Sequence, residues 1–422
     1  MSLEIPSRSE RIAAAGAEAI GGPVGRYARV GQRAWVPAAA TLSALSSVLV
    51  AVGVLRTNHC LQEGWSTPGS LWRMCYSDLP AAANGLPPSS PYSVGQSGET
   101  QPVLTAVLTW VIQHLAPGSA GLGRQQWYVA IAAVLVVLFL AVTITALAWM
   151  LPTRPWRAAF VGLSPLLVTS SLISFDLFGV ALMTVGLAAW VRGHPRAAGA
   201  LLGAAIMARS FPALVLVAIV LLGWQAGQRA QVRAALAAAG ATIAVCLGLA
   251  VALGGNPLDP YQAWLGQGAT YGSVWLVVDI VGVALPTWLL TTVAVAGLGV
   301  ALMVGRRLAR RANPPTVATL SLLMLAIVML TGKSNSLQSA LWLLPLIAAS
   351  LLPWRDYLIW VGIELMAFAA TWLYVGHGFD SQKSLPAPAY VFFSSLRLLA
   401  LAVLAWRVFD LEARSRKSSR VD

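Results

Sequence analysis

Residues 126–151 read QWYVAIAAVLVVLFLAVTITALAWML, without one charged side chain. About 20 apolar residues carry a helix across a ~30 Å hydrocarbon core, and this stretch is long enough. The pattern recurs along the chain. One apolar segment lies near Ala34–Leu55, and others near 157–173, 175–191, 197–208, 210–224, 232–254, 275–304, 315–331, 338–352, 355–374 and 389–409. Of 422 residues, 58% are hydrophobic and 10% charged, against roughly 25% charged in soluble domains. A water-soluble globule and a disordered chain are both excluded. The expected fold is an all-α polytopic membrane protein, a bundle of about 12 transmembrane helices.

Arginine sets the expected orientation. The formal charge of +13 comes from 28 basic and 15 acidic residues, and the bases sit mainly in short gaps between apolar runs. The positive-inside rule accounts for that placement, so nucleic acid is not the implied partner. Clusters at Arg154/Arg157, Arg192/Arg196, Arg229/Arg233, Arg306/Arg307/Arg310/Arg311, Arg355 and Arg407/Arg414/Arg416/Lys417 are assigned to the cytoplasm. The chain then divides into an arginine-rich cytoplasmic arm (1–33), a transmembrane domain (34–409) and a basic cytoplasmic tail (410–422), with both termini inside. Pro102–Leu115 is too short to cross, and a crossing there would put Arg154 and Arg157 outside. It is predicted to be an interfacial helix on the outer face, following a first outer loop at 56–101.

The chemistry-bearing residues fall mostly on the outer side. Cys60 and Cys75 lie in the first loop and read as a disulfide or as two free thiols. Asp78, in Cys75-Tyr76-Ser77-Asp78-Leu79-Pro80, reads as a general base or as a helix cap or solvated carboxylate. Asp176 interrupts two apolar segments at the outer membrane level, where an ionisable group is a functional candidate or an N-cap. Arg209 and Lys333 break apolar pairs at the same level. They suit the phosphate of a lipid-linked substrate, or else snorkel to headgroups. His377 and Asp380 occupy a later outer loop. Glu364 and Arg397 fall at similar depth on successive helices and are expected to form a structural ion pair. No Walker motif, dinucleotide fingerprint, zinc spacing or Ser-His-Asp order occurs,.

Four stretches carry a resemblance to a known family. They are the Asp78 loop with Gln101-Pro102-Val103-Leu104-Thr105, the Phe175-Asp176-Leu177 turn, the Arg209-Ser210-Phe211-Pro212 break, and the run from Lys333 through Gln338 and Trp342 to Pro345. Together with Trp354-Arg355-Asp356 they are similar to glycosyltransferase family 87, membrane-embedded enzymes of GT-C architecture. The likeness extends over about residues 56–409. It implies an enzyme that takes a sugar, mannose foremost, from a polyprenyl-phosphate carrier on the outer leaflet and passes it to a glycolipid or envelope polysaccharide. It implies Asp78 as base, with Asp176, Arg209, Lys333, Gln338 and His377 binding substrate. Arg209 stands where the family more often has lysine, and Ser334-Asn335-Ser336 replaces an aromatic-bearing turn. An arabinofuranosyltransferase using the same donor class, and a lipid carrier or flippase, are the alternatives. No cofactor is required, and a divalent cation shared by Asp78 and Asp176 is left open.

Overall fold

In a computed structural model the chain is described over residues 35–93 and 95–418, and no strand occurs among them. The predicted arm 1–33 and residues 419–422 of the predicted tail lie outside the described residues. Six helices are long and apolar enough to cross a membrane: α1 (Trp35–Arg56), α3 (Leu122–Met150), α7 (Arg229–Ala252), α8 (Thr287–Ala309), α11 (Trp354–Gly376) and α12 (Ala387–Ser418). Six apolar helices are shorter: α2 (Val103–Leu115), α4 (Asp176–Val191), α5 (Pro195–Ala208), α6 (Pro212–Gln225), α9 (Val317–Thr331) and α10 (Ala340–Ala349). The protein is an all-helical, multi-pass membrane protein.

Two expected spans are not single helices. Segment 157–173 is a chain of short turns, Pro155–Ala158, Ala159–Gly162 and Leu166–Ser170. Pro165 has no N–H to continue the ladder, and Ser164 Oγ accepts from Leu166 N at 3.4 Å. The broken segment lies tight along α1. A Cβ on Gly162 would sit 3.3 Å from Leu42 O, and one on Gly53 3.2 Å from Val168 O. Segment 275–304 divides into Val274–Ile280 and α8, because Gly282 turns through φ +98° and Pro286 precedes the second helix.

The core is apolar and close-packed, with Trp342, Leu344, Leu140 and Leu177 fully enclosed. Glycine sets the closest approach. A Cβ on Gly199 would meet Ala235 O at 2.0 Å, and one on Gly203 would meet Ala239 O at 2.7 Å. This i, i+4 seam lets the backbones of α5 and α7 nearly touch, as small residues do where apolar burial alone cannot drive association. It fixes the C-terminal end of α5, where Arg209 follows.

Helix α2 lies across one end of the bundle. Val103 packs on Met207 and Ala250, at the C-terminal ends of α5 and α7. At its other end Ile112 packs on Tyr128, near the start of α3, and on Ala83. Thr105 Oγ1 donates to Ala208 O at 2.8 Å. The opposite ends of the helices carry the arginine clusters. There Arg157 Nε donates to Ala348 O at 2.8 Å, and Arg407 pairs with Asp356 at 2.8 Å.

Because α2 spans helix ends at one level, the loops flanking it should lie on one side of the membrane. Single cysteines at Leu86 and Ser119, both exposed, should be labelled by an impermeant maleimide from the same face of sealed vesicles. Labelling from opposite faces would make α2 a crossing helix.

Candidate functional site

The site begins with a covalent anchor. Cys60 and Cys75 form a disulfide, and both are fully buried. Immediately after it, Ser77 Oγ donates to Leu172 O at 2.6 Å and Asp78 N to Ile173 O at 2.9 Å. The loop is thus stitched to the turn leading into α4. Asp78 caps no helix: the following 3₁₀ turn, Pro80–Ala83, has no side-chain cap. Its carboxylate instead accepts from Tyr76 Oη at 2.9 Å, and the Tyr76 ring is held by Trp372 at a centroid distance of 4.6 Å.

Asp78 is exposed by surface area, yet protein crowds its carboxylate. That burial is the largest influence on its pKa and raises it above the usual carboxylate range; the Tyr76 hydrogen bond pulls it down, Asp176 pushes it up and Arg209 pulls it down. The influence of Asp176 and Arg209 places those charges within electrostatic reach.

Asp176 and Arg209 form the second part. Asp176 opens α4, where a negative charge also suits the helix dipole, but its side chain makes no cap hydrogen bond. It accepts from Arg209 Nε at 3.0 Å and Nη2 at 3.3 Å, from Trp342 Nε1 at 2.8 Å and from Ser174 Oγ at 2.5 Å. Arg209 has extended backbone, φ −162° and ψ 146°, between α5 and α6. Pro212, at the first position of α6, lacks the N–H that an N-terminus leaves free anyway, so the break costs little. Arg209 Nη1 donates to Gln101 Oε1 at 3.0 Å. The Asp176 side chain is 2% exposed and that of Arg209 29%. The cation is therefore the member of the pair presented to the outside. Gly179 makes room for this: a Cβ there would lie 2.5 Å from Trp342 Cη2.

Three sequence expectations need correction. Asp176 is not a free substrate ligand, because both of its oxygens are occupied by protein donors. For the same reason it offers no ready pair with Asp78 for a divalent ion, and no cluster of three metal-ligating side chains occurs among the described residues. Lys333 does not join Arg209. It is fully buried, and its ammonium donates to Trp264 O at 2.6 Å, Thr291 Oγ1 at 2.9 Å and Leu265 O at 3.2 Å.

Glu364 and Arg397 pair at 2.7 Å, and Arg397 also donates to Asn335 O at 2.5 Å and Ser336 O at 3.0 Å. Gln338 is buried in the turn before α10. His377 follows α11 with its Nδ1 enclosed and unpartnered among the described residues. Neither hydrogen-bonds to Asp78, Asp176 or Arg209 among the described residues. Sequence reasoning missed Tyr76, Gln101 and Trp342 as partners. Gln101 and Trp342 stood inside the motif stretches, and Tyr76 two residues before Asp78.

A multi-pass helical membrane protein with a crowded loop carboxylate in electrostatic reach of a partly exposed arginine is a candidate for chemistry on a membrane-bound substrate. The chain belongs to glycosyltransferase family 87, whose family model matches residues 100–332, and it is accordingly a glycosyltransferase. The match contains Asp176 and Arg209; Asp78 lies before it and Lys333 directly after it. No curated protein and no solved structure matches the chain.

Replacing Asp176 by Asn removes the counter-charge of a partly buried arginine, which typically costs about 3 kcal/mol in a protected setting. Thermal unfolding in detergent should show a clear loss of stability. Arg209→Gln, which strands the more deeply buried Asp176 carboxylate, should lose at least as much,.

Proposed function

We propose that the protein transfers a sugar, mannose foremost, from a polyprenyl-phosphate donor to a glycolipid or envelope polysaccharide at the outer face of the cell membrane. The observation that carries this reading is a set of facing charges: a crowded carboxylate, Asp78, within electrostatic reach of Arg209, whose guanidinium Asp176 holds in place. Arginine clusters at the opposite ends of the helices support a cytoplasmic position for those ends and both termini. In this reading Asp78 lies outside, where lipid phosphates replace nucleotides as sugar carriers. Residues 34–409 then act as one transmembrane catalytic domain.

The chemistry is a direct displacement. The acceptor hydroxyl gives its proton to Asp78 as its oxygen bonds to the anomeric carbon. The bond from that carbon to the phosphate oxygen breaks, and polyprenyl phosphate leaves with the electron pair. Arg209 faces the negative charge that grows on the phosphate. Asp176 meets no substrate in this scheme. It keeps the arginine aimed and unable to swing into the apolar core. An arabinofuranosyl donor of the same class would use the same groups, whereas a flippase would have no use for a pinned base.

Asp78→Asn should cut transfer from polyprenyl-phosphate mannose by about a hundredfold or more, the usual worth of a general base, with unchanged folding. Normal turnover by this variant would remove Asp78 from the mechanism.

The base must be ionised, so activity should fall on the acid side at a pH above that of an ordinary carboxylate. Tyr76 donates to the charged form and lowers the Asp78 pKa. Tyr76→Phe should therefore move the acid limb of kcat/KM to higher pH. An unmoved or lowered limb would mean that this hydrogen bond does not govern the titrating group.

A further inference from the structure

The second buried cation has a different task. Lys333 has three N–H donors, and all three face protein oxygens from two other segments. Trp264 O and Leu265 O are carbonyls at the C-terminal end of the helix Asp259–Gly266, while Thr291 belongs to α8. The ammonium also lies 4.3 Å from the centre of the Trp264 ring, a favourable position for a desolvated cation. The side chain thus ties an otherwise exposed helix, none of whose residues is buried, to the bundle.

The adjoining backbone reinforces the tie. Lys333 O accepts from Thr270 N at 2.9 Å and Thr270 Oγ1 at 3.2 Å. Trp275 Nε1 donates to Thr331 O at 3.0 Å, and Arg397 holds Asn335 O and Ser336 O from the other side.

The tethered helix reaches toward the candidate site. It packs against the turn Ser97–Glu99, just before Gln101, the partner of Arg209. Gly255, at the start of the segment, is pressed onto Tyr92, where a Cβ would come within 2.2 Å of the ring. Tyr92 in turn packs with Val103 and Met207, which flank Gln101 and Arg209 in sequence. Glycines bound the segment, Gly254 with φ +80° before it and Gly266 and Gly268 after it.

We propose that Lys333 is a positioning residue that clasps the Asp259–Gly266 helix onto α8, so that this helix walls the Gln101–Arg209 side of the donor site. The proposal rests on the reading of Arg209 as the phosphate-facing group, and it removes Lys333 from contact with the phosphate.

The test is Lys333→Met in purified full-length protein. Hydrogen exchange is read over residues 258–268, and kinetics are read against a short-chain polyprenyl-phosphate mannose at equal folded protein. The clasp predicts exchange at 258–268 faster by about tenfold or more, with the Arg209–Pro212 turn unchanged. It predicts donor KM raised roughly tenfold while kcat stays within about threefold. A direct phosphate contact would instead lower kcat with exchange at 258–268 unchanged, and that result overturns the proposal. Faster exchange with unaltered donor KM overturns it too, since the helix would then wall nothing. If Lys333→Met does not accumulate, Thr291→Val removes one of the three oxygens and is read by the same two measurements. A wild-type protein inactive with this donor would defeat the functional reading, and the wall with it, while exchange would still decide the clasp.

Discussion

The arrangement of the candidate site depends on one ion pair, Asp176 with Arg209. An arginine between two apolar helices is expensive unless it is paired and its remaining donors are satisfied. Here the carboxylate takes two of its N–H groups and Gln101 takes another, while Trp342 and Ser174 complete the carboxylate. The residues that meet there come from five places: the approach to α2, the turn before α4, α4 itself, the α5–α6 break and α10. A change that moves any of these segments moves the guanidinium. The glycine seam between α5 and α7, and Gly179 beneath Trp342, are the packing conditions that let the pair close.

Two cations that look alike in sequence have opposite fates in the fold. Both interrupt apolar stretches and both stand beside small polar residues. Arg209 follows the end of α5 and reaches a carboxylate fixed on a neighbouring helix, so part of its guanidinium remains at the surface. Lys333 follows the end of α9 and finds two carbonyls, a hydroxyl and the Trp264 ring, and it is fully buried. Sequence position gives the depth of a charge in the membrane. Its direction is set by tertiary contacts that periodicity does not encode.

The same distinction marks how much of the structure was legible in the sequence. Long apolar runs such as 126–151 report helices directly, because length and lack of charge are one-dimensional properties. Arithmetic on arginines assigned Pro102–Leu115 to the interface, and the structure forms a short helix there, Val103–Leu115. Segment 157–173 was misjudged as one helix because its composition is apolar throughout, although Pro165 already carried the break. The candidate site was half legible: Asp78 and Arg209 were visible as charges out of place, whereas the contacts of Asp176 with Arg209, and of Tyr76 with Asp78, appear only when the chain is folded.

The central claim is a division of labour in which Arg209 binds the donor phosphate and Asp78 acts only in the transfer step. Equilibrium binding of a polyprenyl-phosphate sugar, measured without acceptor in detergent, separates the two. Asp78→Asn should bind the donor with close to wild-type Kd, while Arg209→Gln should bind about tenfold or more weakly, as expected for loss of a charge-assisted phosphate contact. Equal affinity in both variants, or a greater loss for Asp78→Asn, would contradict the account.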